Sequence, residues 1–436
     1  MIISEIQMNQ LTISFSKIPE NKSDMQMRKK VFLVAGYNTI SMGTGRKEFH
    51  PRKPRPGLED YIKEAGENVL SQIGGADNVD ECVIANFIAS RYNKQANLAA
   101  FFPYIDPGLT YKPAVRVEGA CATGGLGLVT GIKSILAETA NVVLVVGVEV
   151  QNSVKAVYGA DILSAAGWYK ERKQGHAHFF PGKFSDRAGA YFARYGKEKA
   201  RQAMAMWYRN AIENARLCPT AQEFENKVED LERLAFTPPN PNVFVDHLNV
   251  YDCSKVSDGA SAIAVVSEEG LHRCGISKHD AVEIIGVGQA EYDLTKAPEN
   301  PVWLSTTEQA AKKALKMAGI SIQQLATVEC HDCFTIAAVM AVEALGFADA
   351  GRGPDFILQG NTARDGKVPF NTTGGLIGWG HPTGATGVHQ AVTIWEQLTQ
   401  KAGAAQIKIP RDRPYGLSVN MGGDDKTLVS LVYKKC

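Results

Sequence analysis

The sequence predicts an α/β protein made of two halves of similar plan. Short apolar segments typical of buried strands alternate with glycine-containing turns and segments of helical spacing, which is the order of elements in α/β proteins. One segment, Val142–Val148, is apolar on both of its faces, as a strand of a covered parallel sheet requires. A weak internal repeat supports the two halves, because Gly124-Gly125 before one helix is echoed by Gly384–Gly387 before another.

The elements of the first half are predicted up to residue 150. Residues 1–29 are mixed in character and include a polar run, so we expect them to form an extension outside the core. The predicted strands are Val31–Ala35, which ends at Gly36, then Cys82–Ala85, Val115–Glu118 and Val142–Val148, and the predicted helices are Leu58–Ile73 and Leu126–Glu138.

The segment 151–250, called the insertion below, differs from its surroundings. Strand signals vanish there, and aromatic and charged residues become frequent. The spacing predicts one helix over Gly189–Arg216, with Ala203, Trp207 and Ala211 along one stripe. We therefore expect the insertion to be mostly helical.

The α/β character returns at Tyr251, where the second part of the chain begins. The predicted strands are Ile263–Val266, Ala326–Glu329 and Leu428–Val432, and the predicted helices begin at Phe334 and run over Val388–Leu398. The predicted domains are an extension (1–29), a first half (30–150 and 251–275), the insertion (151–250) and a second half (276–436).

Composition excludes several classes of protein. The 436 residues suggest two or three folding units at ~150 residues each, and 44% hydrophobic with 21% charged residues is the balance of a globular chain. A formal net charge of +1 leaves no electrostatic footprint for nucleic acid or for an anionic membrane. Apolar runs stay well short of the ~20 residues that span a bilayer, so we expect no membrane span.

Cysteine usage and the chain ends bear on the compartment. Eight cysteines scattered over 436 residues are too few for a disulfide scaffold, and the N-terminus lacks the charged-then-apolar pattern of a secretory signal. The last residues, Tyr433–Cys436, are not a peroxisomal Ser-Lys-Leu address. We expect a cytoplasmic protein, with a mitochondrial or peroxisomal location left open for a eukaryotic source.

Cys121 is the first candidate for chemistry. It follows a predicted strand and opens a helix, where the partial positive charge of the helix N-terminus favours a thiolate and should lower the thiol pKa below its free value of ~8.5. Backbone N–H groups at the same turn could stabilise an oxyanion. The alternative is a small buried residue at a tight turn.

His381 is the second candidate. It lies between glycines and beside Pro382, on a turn before a predicted helix. Such a histidine could deprotonate a thiol or polarise a carbonyl group. The alternative is a turn residue whose ring hydrogen bonds are satisfied locally.

The segment Cys330–Cys333 reads Cys-His-Asp-Cys at the end of a predicted strand, and several interpretations compete. A structural zinc site would need a second Cys-x-x-Cys pair, which the sequence lacks, and a redox dithiol would be expected nearer a thioredoxin-like N-terminal unit. A catalytic pair, His331 and Cys333, on a strand-to-helix turn is the third interpretation. A buried cysteine pair with a capping Asp332 is the fourth.

The remaining signals are weak. His176 and His178 lie in an aromatic stretch and favour packing or surface roles over metal binding. The basic loop Arg46–Gly57 is typical of a solvated segment, although it could meet phosphates. The sequence contains neither a phosphate-binding P-loop motif nor a strand-linked Gly-x-Gly-x-x-Gly, so nucleotide hydrolysis and nicotinamide binding have no support.

Taken in order, the motifs resemble those of the thiolase family over about Val31 to Val432. A set of four ordered motifs is far more specific than any one of them. The similar segments are the nucleophile segment Val117–Gly125, the segment Asp252–Ala260 that closes the first half, the His-Asp-Cys-Phe segment 331–334, and the base loop Asn371–Gly375 with Gly380–Gly387.

Two departures point to one branch of that family. Most thiolases have Asn-Glu-Ala-Phe where this chain has His-Asp-Cys-Phe, which resembles the sterol-carrier-protein type of thiolase. Most thiolases also take a second catalytic cysteine from a Cys-x-Gly motif, whereas this chain has Asn420-Met421-Gly422. In the sterol-carrier-protein type, the cysteine of His-Asp-Cys-Phe takes that role, so the resemblance assigns it to Cys333.

The resemblance implies a thiolase fold, which is a five-layer αβαβα core, with the insertion as a loop domain that holds coenzyme A. It implies acyl-CoA and coenzyme A as substrates, no permanently bound cofactor or metal, and a homodimer or a dimer of dimers. The implied catalytic residues are Cys121, His331, Cys333 and His381, with His331 and His381 forming one oxyanion hole, the N–H groups of Cys121 and Gly422 forming another, and Ser254 binding the pantetheine arm.

Several other activities fit the same residue set. An acyltransferase or condensing enzyme with a non-CoA acceptor would use the same cysteine and histidines. A decarboxylating ketosynthase is disfavoured by the second thiol, Cys333, and a related aldolase is disfavoured by Cys121. A non-catalytic paralogue that binds acyl-CoA should have lost at least one of the reactive residues, yet all four are present. The motifs therefore favour thiolytic cleavage of a 3-oxoacyl-CoA or the reverse Claisen condensation.

Overall fold

The structure is a computed structural model that describes residues 27–50, 52–171 and 178–436. Most of the predicted extension, and His176, lie outside the described residues. The strands are β1 Val31–Asn38, β2 Glu81–Ala85, β3 Ala114–Val117, β4 Val142–Val150, β5 Asp258–Val266, β6 Val282–Glu291, β7 Leu325–Glu329, β8 Tyr415–Gly422 and β9 Thr427–Lys435. The helices are α1 Leu58–Gln72, α2 Ala89–Tyr92, α3 Phe102–Ile105, α4 Thr123–Leu136, α5 Ala156–Leu163, α6 Phe179–Tyr195, α7 Lys197–Ala215, α8 Leu231–Ala235, α9 Glu268–Arg273, α10 Ser305–Ala318, α11 Thr335–Ala344, α12 Gly353–Leu358, α13 Gly375–Gly378 and α14 Thr386–Thr399.

The strands of both halves join in one mixed sheet of nine strands, in the order β3-β2-β4-β5-β1-β6-β9-β8-β7. The two half-sheets meet where β1 pairs antiparallel with β6, with Val31 opposite Ile284. The β4 strand is buried throughout, as its apolar pattern predicts. It runs parallel to β2 but antiparallel to β5, so the expectation of a parallel sheet holds on only one of its sides.

The layers alternate helix and sheet, as the resemblance implies. The central layer is formed by α4 and α14, whose apolar side chains lie in one core cluster with residues of both half-sheets, among them Val145 and Leu431. Helix α1 covers the outer face of the first half-sheet, while α10 and α11 cover the second. Helix α14 is buried on every side, as a helix between two sheets must be, and the buried amide groups of Gln390 and Gln397 donate hydrogen bonds to the Val419 and Ala405 carbonyls.

Several predicted elements have other bounds in the structure, and for two of them a backbone feature explains the difference. The first strand continues past Gly36 to Asn38, because a bulge between Val34 and Tyr37 absorbs the irregularity and Ala35 adopts a φ of +57°. The single helix predicted over Gly189–Arg216 is in fact divided between α6 and α7. The break is at Gly196, whose φ of +99° is one that glycine tolerates and other residues avoid.

The insertion leaves the sheet after β4 and returns to it at β5. Its described residues contain α5, α6, α7 and α8 and no strand, which confirms the expected helical character. Within the described part of the chain, no helix is both long and apolar enough to cross a membrane.

Glycines at the starts of α4 and α14 let these two helices touch through their backbones. A Cβ at Gly124 would lie 2.6 Å from the Gly387 nitrogen, and a Cβ at Gly387 would lie 2.2 Å from the Gly125 nitrogen. A real Cβ atom essentially never approaches another atom this closely, so the contact requires glycine on both sides. The repeated glycines of the two halves therefore mark one shared contact.

Replacing Gly387 by alanine should destabilise the protein by about 3 kcal/mol, because the new methyl group forces α4 and α14 apart. Chemical denaturation of the variant measures this loss. The matched control is Gly159→Ala in α5, where the nearest atom would lie 3.6 Å from the added methyl group and no loss is expected. Equal stability of the two variants would show that the backbone contact is dispensable.

Candidate active site

A cavity of about 510 Å³ gathers the candidate residues from distant parts of the chain. Cys121, Cys333, His331 and His381 all line it. The sulfur of Cys121 and one ring nitrogen of each histidine lie within 4.8 Å of one another. Most of the other lining residues come from α5, α6 and residues 253–256, namely Ala156, Val157, Ala160, Leu163, Phe179, Phe180, Pro181, Phe184, Cys253, Ser254, Lys255 and Val256. The rest lie on the connecting segments, namely Gln151, Ala166, His178, Phe334, Thr383 and Gly423.

The turn that carries Cys121 is held in a strained shape just before α4. Ala120 has a φ of +53°, in the region that residues with a side chain rarely adopt. The Thr123 hydroxyl accepts the Gly119 N–H at 2.9 Å and donates to the Ala120 carbonyl at 2.6 Å. These two bonds fix the turn so that Cys121 faces the cavity, where it is partly exposed.

The Cys121 thiol is protonated at neutral pH in this structure. Its removal from water raises its pKa to about 12, although the backbone N–H of Gly423 opposes the shift and the carboxyl of Glu149 adds to it. The expectation of a pKa lowered by the helix N-terminus is therefore wrong for the site as it stands. Burial outweighs the helix because a thiolate without a cationic partner is poorly solvated there.

His381 is held so that its Nε2 atom is free to act as a base. Its backbone N–H donates to the Ser257 hydroxyl at 2.9 Å, and Gln151 donates to its carbonyl at 2.8 Å. The ring Nδ1 lies 2.7 Å from the Thr386 hydroxyl, whose own proton is donated to the Pro382 carbonyl at 3.0 Å. With the hydroxyl proton donated to Pro382, the Thr386 oxygen accepts from Nδ1–H, and this tautomer has a lone pair on Nε2.

The Nε2 atom of His381 is buried and has no hydrogen-bond partner among the residues that the structure describes. Burial lowers the pKa of this ring to about 3, so it is neutral at pH 7. A neutral imidazole with an unpaired nitrogen beside a protonated thiol is the arrangement in which proton transfer between the two creates the nucleophile.

His331 lies beside His381, with ring centroids 5.1 Å apart and planes at 84°. Burial, and then the neighbouring ring of His381, lower its pKa well below the usual range. The peptide next to it is anchored by Asp332, whose carboxyl accepts the indole N–H of Trp207 at 2.9 Å and the backbone N–H of Leu376 at 2.7 Å. Asp332 therefore positions the turn by side-chain hydrogen bonds that reach well beyond its own segment.

Cys333 lines the cavity and Cys330 is buried behind it. Burial raises the pKa of the Cys333 thiol well above the usual range, and the adjacent Cys121 adds to this shift. Among the described residues, the one group of three or more possible metal ligands is Cys121 with the two histidines, and it does not include the Cys330–Cys333 pair. The geometry favours the interpretation in which His331 and Cys333 face a shared site.

The predicted binding residues also border the cavity. Ser254 lines it, and its backbone N–H donates to the Cys333 carbonyl at 2.9 Å. Gly422 packs against the nucleophile turn, since a Cβ there would lie 2.4 Å from the Gly119 carbonyl oxygen. The N–H that reaches the Cys121 sulfur belongs to the next residue, Gly423, and the predicted role of Gly422 as an oxyanion donor stays a prediction.

Several residues of the site carry no signal in the sequence. The aromatic wall of α6 has no motif, and His178 contributes to the cavity although its pattern favours packing. Of the basic loop, Arg46 is buried and donates to the Pro219 and Ala221 carbonyls, which is a structural role. Helical periodicity in α6 is the one available signal, and it does not tell which face borders a cavity.

Comparison with known proteins agrees with this geometry. A family model described as thiolase, N-terminal domain, matches residues 55–269, and one described as thiolase C-terminal domain-like matches residues 286–435. The acetyl-CoA acetyltransferase of Methanothermobacter thermautotrophicus is 32% identical over 381 residues, which cover 87% of this chain and 94% of that protein. The chain belongs to the thiolase family. A second relative of this thiolase, the acetyl-CoA acetyltransferase of Methanocaldococcus jannaschii, is 31% identical over 89% of this chain and 96% of its own.

More distant similarities concern the branch and the fold of this thiolase. Sterol carrier protein 2 of Gallus gallus is 28% identical over 87% of this chain and 68% of its own. The structure of human mitochondrial 3-ketoacyl-CoA thiolase in complex with CoA aligns with a TM-score of 0.66 at 18% identity, covering 94% of this chain and 99% of that one. An Ltp2–ChsH2(DUF35) aldolase aligns with a TM-score of 0.75 at 20% identity, covering 94% and 98%. These structures show the shared fold.

Alkylation of Cys121 by iodoacetamide should be slow at pH 7 in this thiolase and should rise roughly tenfold per pH unit up to pH 10, because only the thiolate reacts. The raised pKa of Cys121 places its titration above that range. Mass spectrometry of the Cys121 peptide follows the reaction, with the exposed Cys436 as the control that shows active reagent. A rate that is already constant between pH 6 and pH 8 would instead indicate a thiolate–imidazolium pair.

Proposed function

We propose that this thiolase-family acyltransferase cleaves a 3-oxoacyl-CoA with coenzyme A, giving acetyl-CoA and a shortened acyl-CoA, or runs the reverse Claisen condensation. The observation that carries the proposal is the meeting of Cys121 and Cys333 with two neutral histidines in one cavity, which Cys253 also lines. A thioester intermediate needs a sulfur nucleophile, and cleavage next to a carbonyl needs a second acid–base group that can protonate carbon.

The first half-reaction begins at Cys121. Its thiol proton passes to Nε2 of His381, and the sulfur attacks the 3-oxo carbon of the substrate. Collapse of the adduct breaks the bond between C2 and C3, which leaves the acyl group on Cys121 and the electron pair on an acetyl-CoA enolate. His331 and the newly protonated His381 donate to the enolate oxygen, and a donor of this kind is typically worth ~3–4 kcal/mol.

Cys333 completes the reaction in this proposal. Its thiol proton goes to C2 of the enolate, giving acetyl-CoA. The resulting Cys333 thiolate takes the proton of an incoming coenzyme A, whose sulfur attacks the acyl group on Cys121. The departing Cys121 thiolate recovers its proton from His381, so each group returns to its starting state. Backbone N–H groups of Cys121 and Gly422, with Gly423 adjacent, hold the oxyanion of this second step.

Coenzyme A binds in this proposal between the insertion and the segment after residue 252. Ser254 lines the cavity, which supports its contact with the pantetheine arm. Lys255 beside it also lines the cavity, and its ammonium group pairs with the carboxylate of Glu223. Coenzyme A acts as a co-substrate that enters and leaves. The eight cysteines are all free in the structure, which supports a reducing compartment such as the cytoplasm.

A second copy of the chain is proposed to pair along β3. This strand lies at the end of the sheet, and its first residues, Ala114 and Val115, are exposed. The adjacent Tyr111 is fully exposed. An apolar edge strand beside an exposed aromatic ring is a surface that proteins usually cover, which supports the homodimer, or a dimer of dimers, that the family resemblance implies.

The cavity also supports an acyl group larger than acetyl. Its volume is in the range of small-molecule pockets, and apolar side chains of α5 and α6 dominate its walls. Phe184 is fully buried, and its ring stacks on that of Phe334 with the ring centroids 4.4 Å apart. Phe334 directly follows Cys333 in the chain. We therefore place the growing or shortened acyl chain against this aromatic wall, where burying each methylene gains ~0.8 kcal/mol.

Purified protein should consume acetoacetyl-CoA when coenzyme A is added, with acetyl-CoA as the product. Cys121→Ala should abolish both turnover and formation of an acyl-enzyme. Cys333→Ala should lose turnover by a factor on the order of 10³ yet still accept an acyl group on Cys121, because acylation does not need the second thiol. Cys330→Ala is the matched control, since Cys330 is buried away from the cavity, and it should retain activity.

The outcomes of that experiment separate the candidate functions. Wild-type turnover by Cys333→Ala would contradict the assignment of the second thiol. Acylation of Cys121 without loss of acetoacetyl-CoA would indicate an acyltransferase with another acceptor. Binding of acyl-CoA with neither acylation nor turnover would indicate a non-catalytic paralogue.

Filling the cavity should shorten the preferred acyl chain. Ala160→Phe in α5 places a ring in the cavity and should lower kcat/KM for 3-oxooctanoyl-CoA by roughly tenfold or more relative to acetoacetyl-CoA, since contacts worth ~1–3 kcal/mol are lost. The control is Tyr158→Leu on the exposed side of the same helix. An unchanged ratio of the two substrates in Ala160→Phe would place the acyl chain elsewhere.

A further inference from the structure

Asn420 connects three parts of the site through one side chain. It lies near the end of β8, is 2% exposed, and its amide nitrogen donates to the Cys121 carbonyl at 2.9 Å. Its amide oxygen accepts the backbone N–H of Gly125 at 2.9 Å. The same amide nitrogen lies 3.4 Å from Nδ1 of His331.

The backbone contacts fix which way the amide faces. Gly125 can only donate through its N–H, and the Cys121 carbonyl can only accept, so the reversed amide would lose both bonds. The amide nitrogen therefore faces His331, and it carries two protons. One proton serves the Cys121 carbonyl, and the other is directed to the ring of His331.

We propose that Asn420 is a positioning residue that holds His331 in the tautomer with its proton on Nε2. An amide N–H at Nδ1 requires a lone pair there, and a neutral imidazole with a lone pair on Nδ1 carries its single proton on Nε2. His331 is then a donor on the ring edge away from Asn420, as an oxyanion contact demands. The catalytic role of this tautomer rests on the proposed function, whereas the tautomer itself follows from the contact between Asn420 and His331.

The neighbouring histidine is set in the opposite way. When the Thr386 hydroxyl donates to the Pro382 carbonyl, its oxygen accepts a proton from Nδ1 of His381, so Nε2 of His381 has the lone pair. Two rings 5.1 Å apart are thus given complementary roles by hydrogen bonds on their far sides, one as a base for Cys121 and one as a donor to the enolate oxygen. If both rings had the same tautomer, one of the two roles would be unfilled at the start of the reaction.

The Asn420 side chain that sets the His331 tautomer also contacts the Cys121 turn. Asn420 contacts the carbonyl of Cys121, the first turn of α4 and the ring of His331. One amide group therefore fixes the position of Cys121 relative to the His331 ring. By the family resemblance, this is the position of the cysteine in the Cys-x-Gly motif of most thiolases. In this chain the second catalytic thiol of the proposed reaction belongs to Cys333, and the Asn420 amide acts as a positioning group.

The tautomer can be read directly from ¹⁵N NMR of protein labelled at histidine, with His331→Gln used to assign the signal. We expect a protonated Nε2 and an unprotonated Nδ1 for His331 at pH 7 in the wild-type protein. In Asn420→Asp the carboxylate accepts instead of donating, so Nδ1 of His331 should become protonated. The matched control is Gln390→Ala, which removes another buried amide that bonds the neighbouring Val419 carbonyl, and it should leave the His331 signals unchanged.

Each outcome decides the inference. A wild-type His331 with its proton on Nδ1 overturns it, and this measurement needs no variant to fold. An Asn420→Asp protein that folds with Nδ1 still unprotonated also overturns it, whereas signals that move equally in Gln390→Ala would show a merely structural effect and overturn it too.

Kinetics supply the second readout and separate this inference from the proposed function. Asn420→Asp should reduce cleavage of acetoacetyl-CoA by roughly 10²-fold or more, and should reduce acylation of Cys121 by acyl-CoA much less, because only cleavage passes through the enolate. Equal losses in both reactions would contradict a role through His331. A wild-type protein that lacks cleavage altogether would refute the proposed function and leave the tautomer to be decided by NMR.

Discussion

The contact between the N-termini of α4 and α14 is the constraint on which the site depends. Cys121 and His381 belong to different halves of the chain, and each lies on a turn that leads into one of these two helices. Their backbones touch at Gly124, Gly125 and Gly387, where a side chain on either helix would separate them. Because α4 and α14 are also buried between both half-sheets, the distance between thiol and imidazole is set by the packing of the whole core.

Water exclusion explains why the reactive groups are neutral. Burial raises the pKa of the Cys121 thiol and lowers that of both histidines, so the uncharged pair is the stable state. An ion pair formed in advance would lack solvation in this apolar cavity. In the proposed reaction the charge is instead created when the substrate carbonyl and the oxyanion donors are in place to receive it, which is the condition under which preorganised dipoles are most effective.

The sequence predicts the elements whose signals are local. The buried strand β4, the helix α1 and the glycine turns before α4 and α14 follow from apolar runs, helical spacing and glycine positions. The four candidate catalytic residues can be named from motifs, and the structure brings them to one cavity. The break at Gly196 could not be predicted, since a glycine within a helical pattern is compatible with a continuous helix.

Features that depend on contacts between distant segments cannot be predicted in this way. The role of Asn420 requires knowing that β8 ends beside Cys121 and His331, which are 299 and 89 residues away in the chain. The pKa of Cys121 is predicted in the wrong direction for a related reason. The charge of a helix end is visible in a sequence, whereas the loss of water around the thiol depends on how the insertion covers it.

Buried ion pairs make the insertion a fixed wall of the site. Arg187 of α6 pairs with Asp424, the residue after Gly423, and both side chains are buried. Arg201 of α7 pairs with Asp252, which precedes the Cys253–Ser254 segment. Removing one partner of such a pair typically costs ~3–5 kcal/mol, because the other charge is left buried and unpaired.

Asp252 also accepts the Thr335 hydroxyl at 2.8 Å, at the start of the helix that follows Cys333. Helix α6 is thus fastened to the segment after Gly423, and α7 is fastened to the segment that begins at Asp252 and, through Asp252, to the start of α11. The apolar walls of α5 and α6 belong to the same insertion, so the dimensions of the cavity are fixed together with the positions of its reactive groups. In the proposed function, substrate selection and catalysis therefore depend on the same set of packing contacts.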